Sequence, residues 1–327
     1  MKLSSFIKQT AAAALLGASA LVGVHGSAAA QAYPSQDIRF VCAFPPGSGA
    51  DVIVRYFANA VQKISGHTIV VENKPGAAGL IATEYVVRAK PDGYTIFVHA
   101  GSAVSNIPAL YAKPPFDARK ALEVAATINR QPFMILVDAK SPYKTLDELT
   151  AAMKKKGDKA SYATAATTGT VMGEIYKART GIQAVEVSYK TAPDSINDML
   201  SGRIDYAAHD PVFALAQERE GRMRILGVST GERLQANPEM KTMKEQGVDM
   251  DLTGWWAAMV PIGTDKAAKA KITEWFQKAV ADPETKKFLN SFGGDQLQES
   301  PEAADKRLLK DIDLWIEYAK IAKIVPQ

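Results

Sequence analysis

The chain has 327 residues, 47% of them hydrophobic and 23% charged, with 23 Gly and 17 Pro. That allows two ordinary domains or one large one and excludes a mostly disordered, collagen-like or fibrous protein. Net charge is +4 and Cys42 is the sole cysteine, which excludes an intrachain disulfide and a cysteine-built zinc site; four scattered histidines leave little for a His-rich metal site.

Residues 1–32 read as a secretory signal. Lys2 and Lys8 make a basic start, residues 11–24 are apolar, and small residues lead to Ala30-Gln31-Ala32. The apolar run is too short to span a bilayer. Cleavage after Ala32 puts the mature start at Tyr33, and loss of Lys2 and Lys8 lowers the net charge from +4 to +2. A near-balanced charge argues against nucleic acid as a partner. A lipoprotein anchor needs a cysteine at the cut, and none is there. No later segment is apolar enough to cross a membrane.

Asp37–Ala43 reads as a strand, and apolar residues from Val52 to Ile64 recur at helical spacing, with Gly66 as the terminator. Thr68–Glu72 is a second strand, about Leu80–Ala89 a second helix, and Tyr94–Val98 a third strand. Three such units in a row imply a parallel sheet with helices on both faces. Further strands are expected at Phe133–Val137, Ala160–Thr164, Val185–Tyr189, Ile204–Ala208, Ile225–Ser229 and Trp255–Pro261. Ser141-Pro142 with Thr145 and Glu148 starts a capped helix. Helices are expected at Gly173–Thr180, Pro193–Ser201, Lys266–Ala281 and Pro301–Ile324. Fold class is therefore α/β, with two lobes joined by two hinge-crossing strands near Phe133–Val137 and Gly254–Val260. Lobe 1 comprises 33–136 plus 254–327 and lobe 2 comprises 137–253, the C-terminal helices returning to lobe 1. Such hinge architecture holds a ligand between the lobes.

Three loops carry the chemistry. Phe44-Pro45-Pro46-Gly47-Ser48-Gly49-Ala50-Asp51 joins a strand to a helix. Its prolines stiffen the turn, its glycines admit a close ligand, and the helix start offers free N–H groups to a carboxylate or phosphate. It lacks both the Lys-Ser/Thr ending of a P-loop and the GxGxxG spacing. A plain strand-to-helix turn accounts for the same residues equally well. Pro75-Gly76-Ala77-Ala78-Gly79-Leu80 is a second such loop, opening on the same sheet edge. Thr164–Thr170 is a third, in the second lobe, where helix capping is the ordinary role of at least one threonine.

Six stretches together resemble one family: Tyr33-Pro34-Ser35, the Phe44–Asp51 loop, Val71–Gly79, Lys90–Thr95, Tyr189–Pro193 and Gly202–Asp205. They look like the Bug-type extracytoplasmic solute receptors of tripartite tricarboxylate transporters, in order along essentially the whole mature chain. The resemblance implies a two-lobe periplasmic binding protein of the Venus-flytrap, type II-like kind. It implies a periplasmic monomer that binds a small carboxylate between its lobes and delivers it to a membrane permease, with no cofactor. The ligand-binding residues expected are Phe44, Gly47, Ser48, Gly49, Ala50, Asp51, Ala77, Ala78, Gly79, Leu80, Ser102, Thr167, Thr168, Thr170 and Asp210. The family loop usually reads PPGGGTD, so Ser48 and Ala50 depart from it. Leu80 replaces a polar residue, Thr170 stands where a histidine is common, and of His209 and Asp210 the latter is preferred as the cleft acid. Fewer polar groups favour a mono- or dicarboxylate with an apolar or aromatic body over a tricarboxylate.

The alternative is an exported enzyme acting on small carboxylates or esters, which needs a nucleophile and base within hydrogen-bond reach. The sequence has no Gly-x-Ser-x-Gly elbow. Cys42 lies mid-strand and is expected to be buried and inert. His99, at the end of the third strand, either reaches the cleft or is structural. Asp205 and Asp210 have no second acid at a set spacing.

Overall fold

The computed structural model describes residues 33–326, and the elements below lie from Gln36 onward. The expected signal segment falls outside the described residues. Strand β1 (Ile38–Cys42) is buried at every position except Arg39. Such a near-continuous apolar run is what helices on both faces of a sheet require. It leads into α1 (Gly49–Ser65), whose Ile53, Val54, Phe57, Ala58 and Val61 are buried at helical spacing. Gly66 ends that helix in the left-handed region (φ 74°). Then follow β2 (Ile69–Asn73), a single turn at Ala77–Gly79, α2 (Leu80–Val87), β3 (Thr95–Ala100), and the short α3 (Ser102–Ser105) and α4 (Ile107–Leu110).

Strand β4 (Leu122–Gln131) is followed after two residues by β5 (Met134–Asp138), which belongs to a different sheet. That sheet is built with α5 (Leu146–Lys156), β6 (Ser161–Thr164), α6 (Thr167–Thr180), β7 (Val185–Ser188), α7 (Ile196–Leu200), β8 (Tyr206–His209), α8 (Pro211–Arg219) and β9 (Met223–Val228). The chain returns as β10 (Gly254–Pro261), α9 (Lys266–Ala281), α10 (Pro283–Ser291), β11 (Asp295–Gln296) and α11 (Pro301–Ile321). Strand order is β11-β4-β10-β3-β1-β2 in the first sheet and β7-β6-β8-β5-β9 in the second. The molecule is thus an α/β protein with two lobes, as its sequence implies.

Both sheets are mixed, whereas three consecutive strand–helix units predict a parallel one. The parallel part is real: β1 pairs in parallel with β2 and β3, and β6 with β7 and β8. However, β10 runs antiparallel to β3 and β4, and β5 antiparallel to β8 and β9. The hinge is the reason. Strand β10 enters from the second sheet with Trp256 opposite Ala100, the end of β3, and Gly254 opposite Gln131, the end of β4. Strand β5 likewise begins with Met134 opposite His209, the end of β8. The chain therefore crosses where parallel strands end, and that edge carries the strand-to-helix loops of both sheets.

Helix α11 is a further tie. Its Ala304, Leu308 and Ile312 pack with Val41, Phe97 and Trp255 of the first sheet. Its Trp315 and Ala319 join Ile135, Val137 and Tyr176 in the core of the second. The helix expected to return to the first lobe divides its apolar face between the two.

Candidate functional site

Ser48 caps α1 by accepting the Asp51 N–H at 3.2 Å, and Gly47 turns at φ 80°. The Asp51 side chain points into the loop and is 2% exposed. Its carboxylate accepts the Gly47 N–H at 2.8 Å, the Asn73 amide at 2.8 Å and the Arg55 guanidinium at 2.8 Å. Asn73 also donates to the Phe44 carbonyl and accepts from Arg55. Burial pushes the Asp51 carboxyl upward, but Arg55, Asn73 and Gly47 outweigh it and hold its pKa below the ordinary value. Asp51 therefore shapes the loop. The N–H groups of Gly49 and Ala50 open α1 and have no acceptor within the helix.

In the second loop, Ala77 and Ala78 both lie in the left-handed region, with φ 48° and 52°. Each such alanine costs roughly 1–2 kcal/mol. The loop is held from outside: Tyr111 donates its hydroxyl to the Ala77 carbonyl at 3.0 Å, and Thr83 donates to the Gly79 carbonyl at 2.9 Å. Gly79 sits at φ 94°, and a Cβ there would stand 3.3 Å from the Ala103 Cβ and 3.7 Å from that of Ala43. The first loop, the second loop and the start of α3, where Ser102 lies, thus converge on one edge of the first sheet. Leu80 is half-buried, while Ala77 and Ala78 are exposed.

Across the hinge, α6 begins at Thr167 without a side-chain cap, leaving Thr167 and Thr168 half-buried at a bare helix start. The Thr170 hydroxyl is turned away from that end and donates to Glu186 at 2.5 Å, beside Thr164, which donates to the same oxygen. Asp210 caps α8 by accepting the Phe213 N–H at 3.1 Å, and burial raises its pKa. The start of α6 abuts the end of β8: a Cβ on Gly169 would lie 2.5 Å from the Ala208 carbonyl oxygen. The two halves meet at Gly49, where a Cβ would stand 3.2 Å from Val212 of α8.

Neither Lys nor Arg occupies any of the sequence-predicted site positions. The nearest cation to the first loop, Arg55, is tied to Asp51 and Asn73. The positive groups these positions offer are helix starts and backbone N–H groups. Two cavities lie away from these loops. One of about 1020 Å³ is lined by Arg39, Tyr85, Arg88 and Tyr94, and one of about 390 Å³ by Arg130, Thr230, Lys244 and Lys310. Neither is lined by a residue of the three loops; the first lies at the opposite end of β1 and β3, and the second beside the strand crossing at Arg130 and Trp255.

Asp210-Pro211 is a helix start, with the acid as cap and proline at the first position, so the ordinary capping role accounts for Asp210. One pairing at the site has no signal in the local sequence. Ser195 and His209 are neighbours, with Oγ and Nε2 3.1 Å apart. The pair is not an activated nucleophile. Ser195 is fully buried and its hydroxyl donates to the Ala192 carbonyl at 2.7 Å, so the imidazole is the donor to serine. Burial lowers the His209 pKa to about 4. Cys42 is buried, and burial raises its thiol pKa.

The arrangement agrees with what this chain is similar to. The model of the Tripartite tricarboxylate transporter family receptor matches residues 53–314. A UPF0065 protein of Bordetella bronchiseptica is 32% identical over 276 residues, which cover 84% of this chain and 82% of that protein. The solved structure of the periplasmic binding protein BugD has a TM-score of 0.78 at 28% identity, covering 90% of this chain and 100% of that one. R. palustris Rpa4515, solved with adipate, has a TM-score of 0.79 at 23% identity, covering 90% and 100%.

Proposed function

Because the chain belongs to the tripartite tricarboxylate transporter receptor family, the Bug-type solute-binding proteins, we propose that it captures a small mono- or dicarboxylate between its lobes. The loaded receptor then delivers its ligand to a membrane permease. On this reading it works in the periplasm as a monomer, with lobe 1 formed by 33–136 and 254–327 and lobe 2 by 137–253.

The observation that carries the reading is the convergence of helix starts without a cation. The N–H groups of Gly49 and Ala50 and those of Ala77 and Ala78 take one carboxylate, while the N–H groups of Ser48, Gly79 and Leu80 hold the two loops in shape by bonding to the Pro45, Gly76 and Ala77 carbonyls. Each bond between a carboxylate and a preorganised N–H contributes roughly 1.5–3 kcal/mol. Thr167 and Thr168, at the uncapped start of α6, face the far end of the ligand. Asp51 and Thr170 support the loops from behind, because their polar atoms are already engaged. Phe44, 43% exposed, supplies an apolar wall, which suits a ligand with an apolar or aromatic body. That R. palustris Rpa4515 was solved with adipate is in keeping with a carboxylate.

A thermal-shift screen of aliphatic and aromatic mono- and dicarboxylates tests this, with mass spectrometry of any ligand carried through purification. A true ligand at 100 times its Kd stabilises the protein by about 2.7 kcal/mol and is recovered unchanged. Chemical conversion of the ligand, or stabilisation only by non-anionic solutes, overturns the reading.

A further inference from the structure

His99 is the last residue but one of β3, where the sheet edge meets the ligand loops, and is 3% exposed. Three aromatic rings pack against it: Phe44 at 5.1 Å between centroids and 5° between planes, Phe97 at 5.0 Å, and Trp256 at 5.2 Å. Phe44 belongs to the first ligand loop and is partly open to solvent. The histidine Nδ1 lies 3.3 Å from the Ala100 carbonyl oxygen. A carbonyl only accepts, so Nδ1 carries a proton. Burial among aromatic rings keeps the imidazole neutral, with its pKa lowered to about 4. In that tautomer Nε2 is a bare acceptor, and it is buried without a hydrogen-bond partner.

An apolar ring would fill the same stack without leaving an acceptor unpaired, so the nitrogen is explained by a partner that arrives with the ligand. His209, its counterpart in the second lobe, already has Ser195. We propose that His99 is a specificity residue of the cleft, its Nε2 accepting a hydrogen bond from a hydroxyl or N–H on the bound carboxylate. The ligand class is therefore a mono- or dicarboxylate that also bears a donor, held against Phe44. This rests on the receptor reading above. Discrimination follows because a ligand lacking the donor leaves the buried nitrogen unpaired in the closed cleft.

The test is calorimetric titration of the wild-type protein with two matched pairs, succinate with L-malate and benzoate with 4-hydroxybenzoate. In at least one pair the hydroxylated member binds about tenfold or more tightly than its partner. His99→Phe abolishes that preference, so that the two members of the pair bind alike. His99→Gln, which keeps an acceptor oxygen, restores part of it. Empty His99→Phe melts no lower than wild type, because the substitution removes an unpaired buried nitrogen. Equal wild-type affinities within both pairs, or a preference that survives in His99→Phe, overturns the proposal and leaves the receptor reading standing. If none of the four binds, the ligand recovered from purified protein decides. A carboxylate without an O–H or N–H donor overturns the role of His99 alone; a donor-bearing carboxylate lost from His99→Phe upholds it. Recovery of a ligand that is no carboxylate, or of none, overturns both readings.

Discussion

Gly49 and Val212 meet across the two lobes so closely that a Cβ on Gly49 would stand 3.2 Å from Val212 Cγ1, and the valine would have to give way by a few tenths of an ångström. Each lies at the start of a helix, α1 in one lobe and α8 in the other. The contact sets how near the two helix starts approach. Gly49→Val is expected to hold the lobes apart and weaken ligand binding about tenfold, which is about 1.4 kcal/mol. Small-angle scattering of the ligand-saturated variant should give a larger radius of gyration than wild type. Adding Val212→Ala should recover both properties, and unchanged scattering and affinity in Gly49→Val would remove this contact from the closure mechanism.

Asp295 fastens the lobes from another side. It is 7% exposed on β11, and its carboxylate accepts the N–H groups of Gln235 at 2.9 Å and Ala236 at 2.8 Å. Those two residues lie in the segment between β9 and β10 whose Met243, Val248 and Leu252 pack in the core of the second sheet. Asp295→Ala removes both acceptors and leaves two N–H groups to find water. Such charge-assisted bonds are worth roughly 1.5–3 kcal/mol each when fully formed. The expected outcome is a shift toward the open form without ligand, seen as a larger radius of gyration and faster amide exchange at Gln235 and Ala236. Exchange unchanged at these two amides would show that the carboxylate does not hold them.

The depressed pKa of Asp51 has a consequence for acid stability. A carboxyl whose folded-state pKa lies below its unfolded value contributes stability above the unfolded value, and that stability is lost as pH falls through the folded one. For Asp51 the ordinary value is 3.8 and the shift is downward. The first loop should therefore keep its shape down to about pH 4 and loosen below it. Asp51→Asn should destabilise the protein at pH 7 by about 2 kcal/mol and converge on wild type as pH falls below 3.8. A stability difference that stays constant from pH 7 to pH 3 would count against this assignment.

Thr170 separates support from ligand contact. Its hydroxyl and that of Thr164 share one Glu186 oxygen. Thr170→Val should cost about 1.5 kcal/mol of stability and leave the ranking of carboxylate ligands unchanged. Thr168→Val should do the reverse, lowering affinity with little loss of stability. Titration of both variants with the same ligand set checks the pair. A changed ligand ranking in Thr170→Val would place its hydroxyl in the cleft.

Local periodicity determined much of this protein. The apolar spacing of α1, the cap at Thr145 with Glu148, and the glycine-rich turns at Phe44–Asp51 and Pro75–Leu80 are short-range features, legible because neighbours in sequence enforce them. The same holds for the two-lobe architecture, which follows from strands and helices in alternation. Strand β4 escaped that reading because its central Ala125-Ala126 breaks the alternation; it is a strand through pairing with β10 and β11. What the candidate residues do was decided only in three dimensions. Asp51 and Thr170 had the right chemistry for a ligand, but their polar atoms are taken by Asn73, Arg55 and Glu186. His99 and Phe44 are 55 residues apart in sequence, and nothing local joins them. Parallel pairing of β1 with β3 puts both at one edge, where the ring of one covers the other. A hydrogen bond or ring stack between distant residues depends on register and crossover, and those belong to the folded chain.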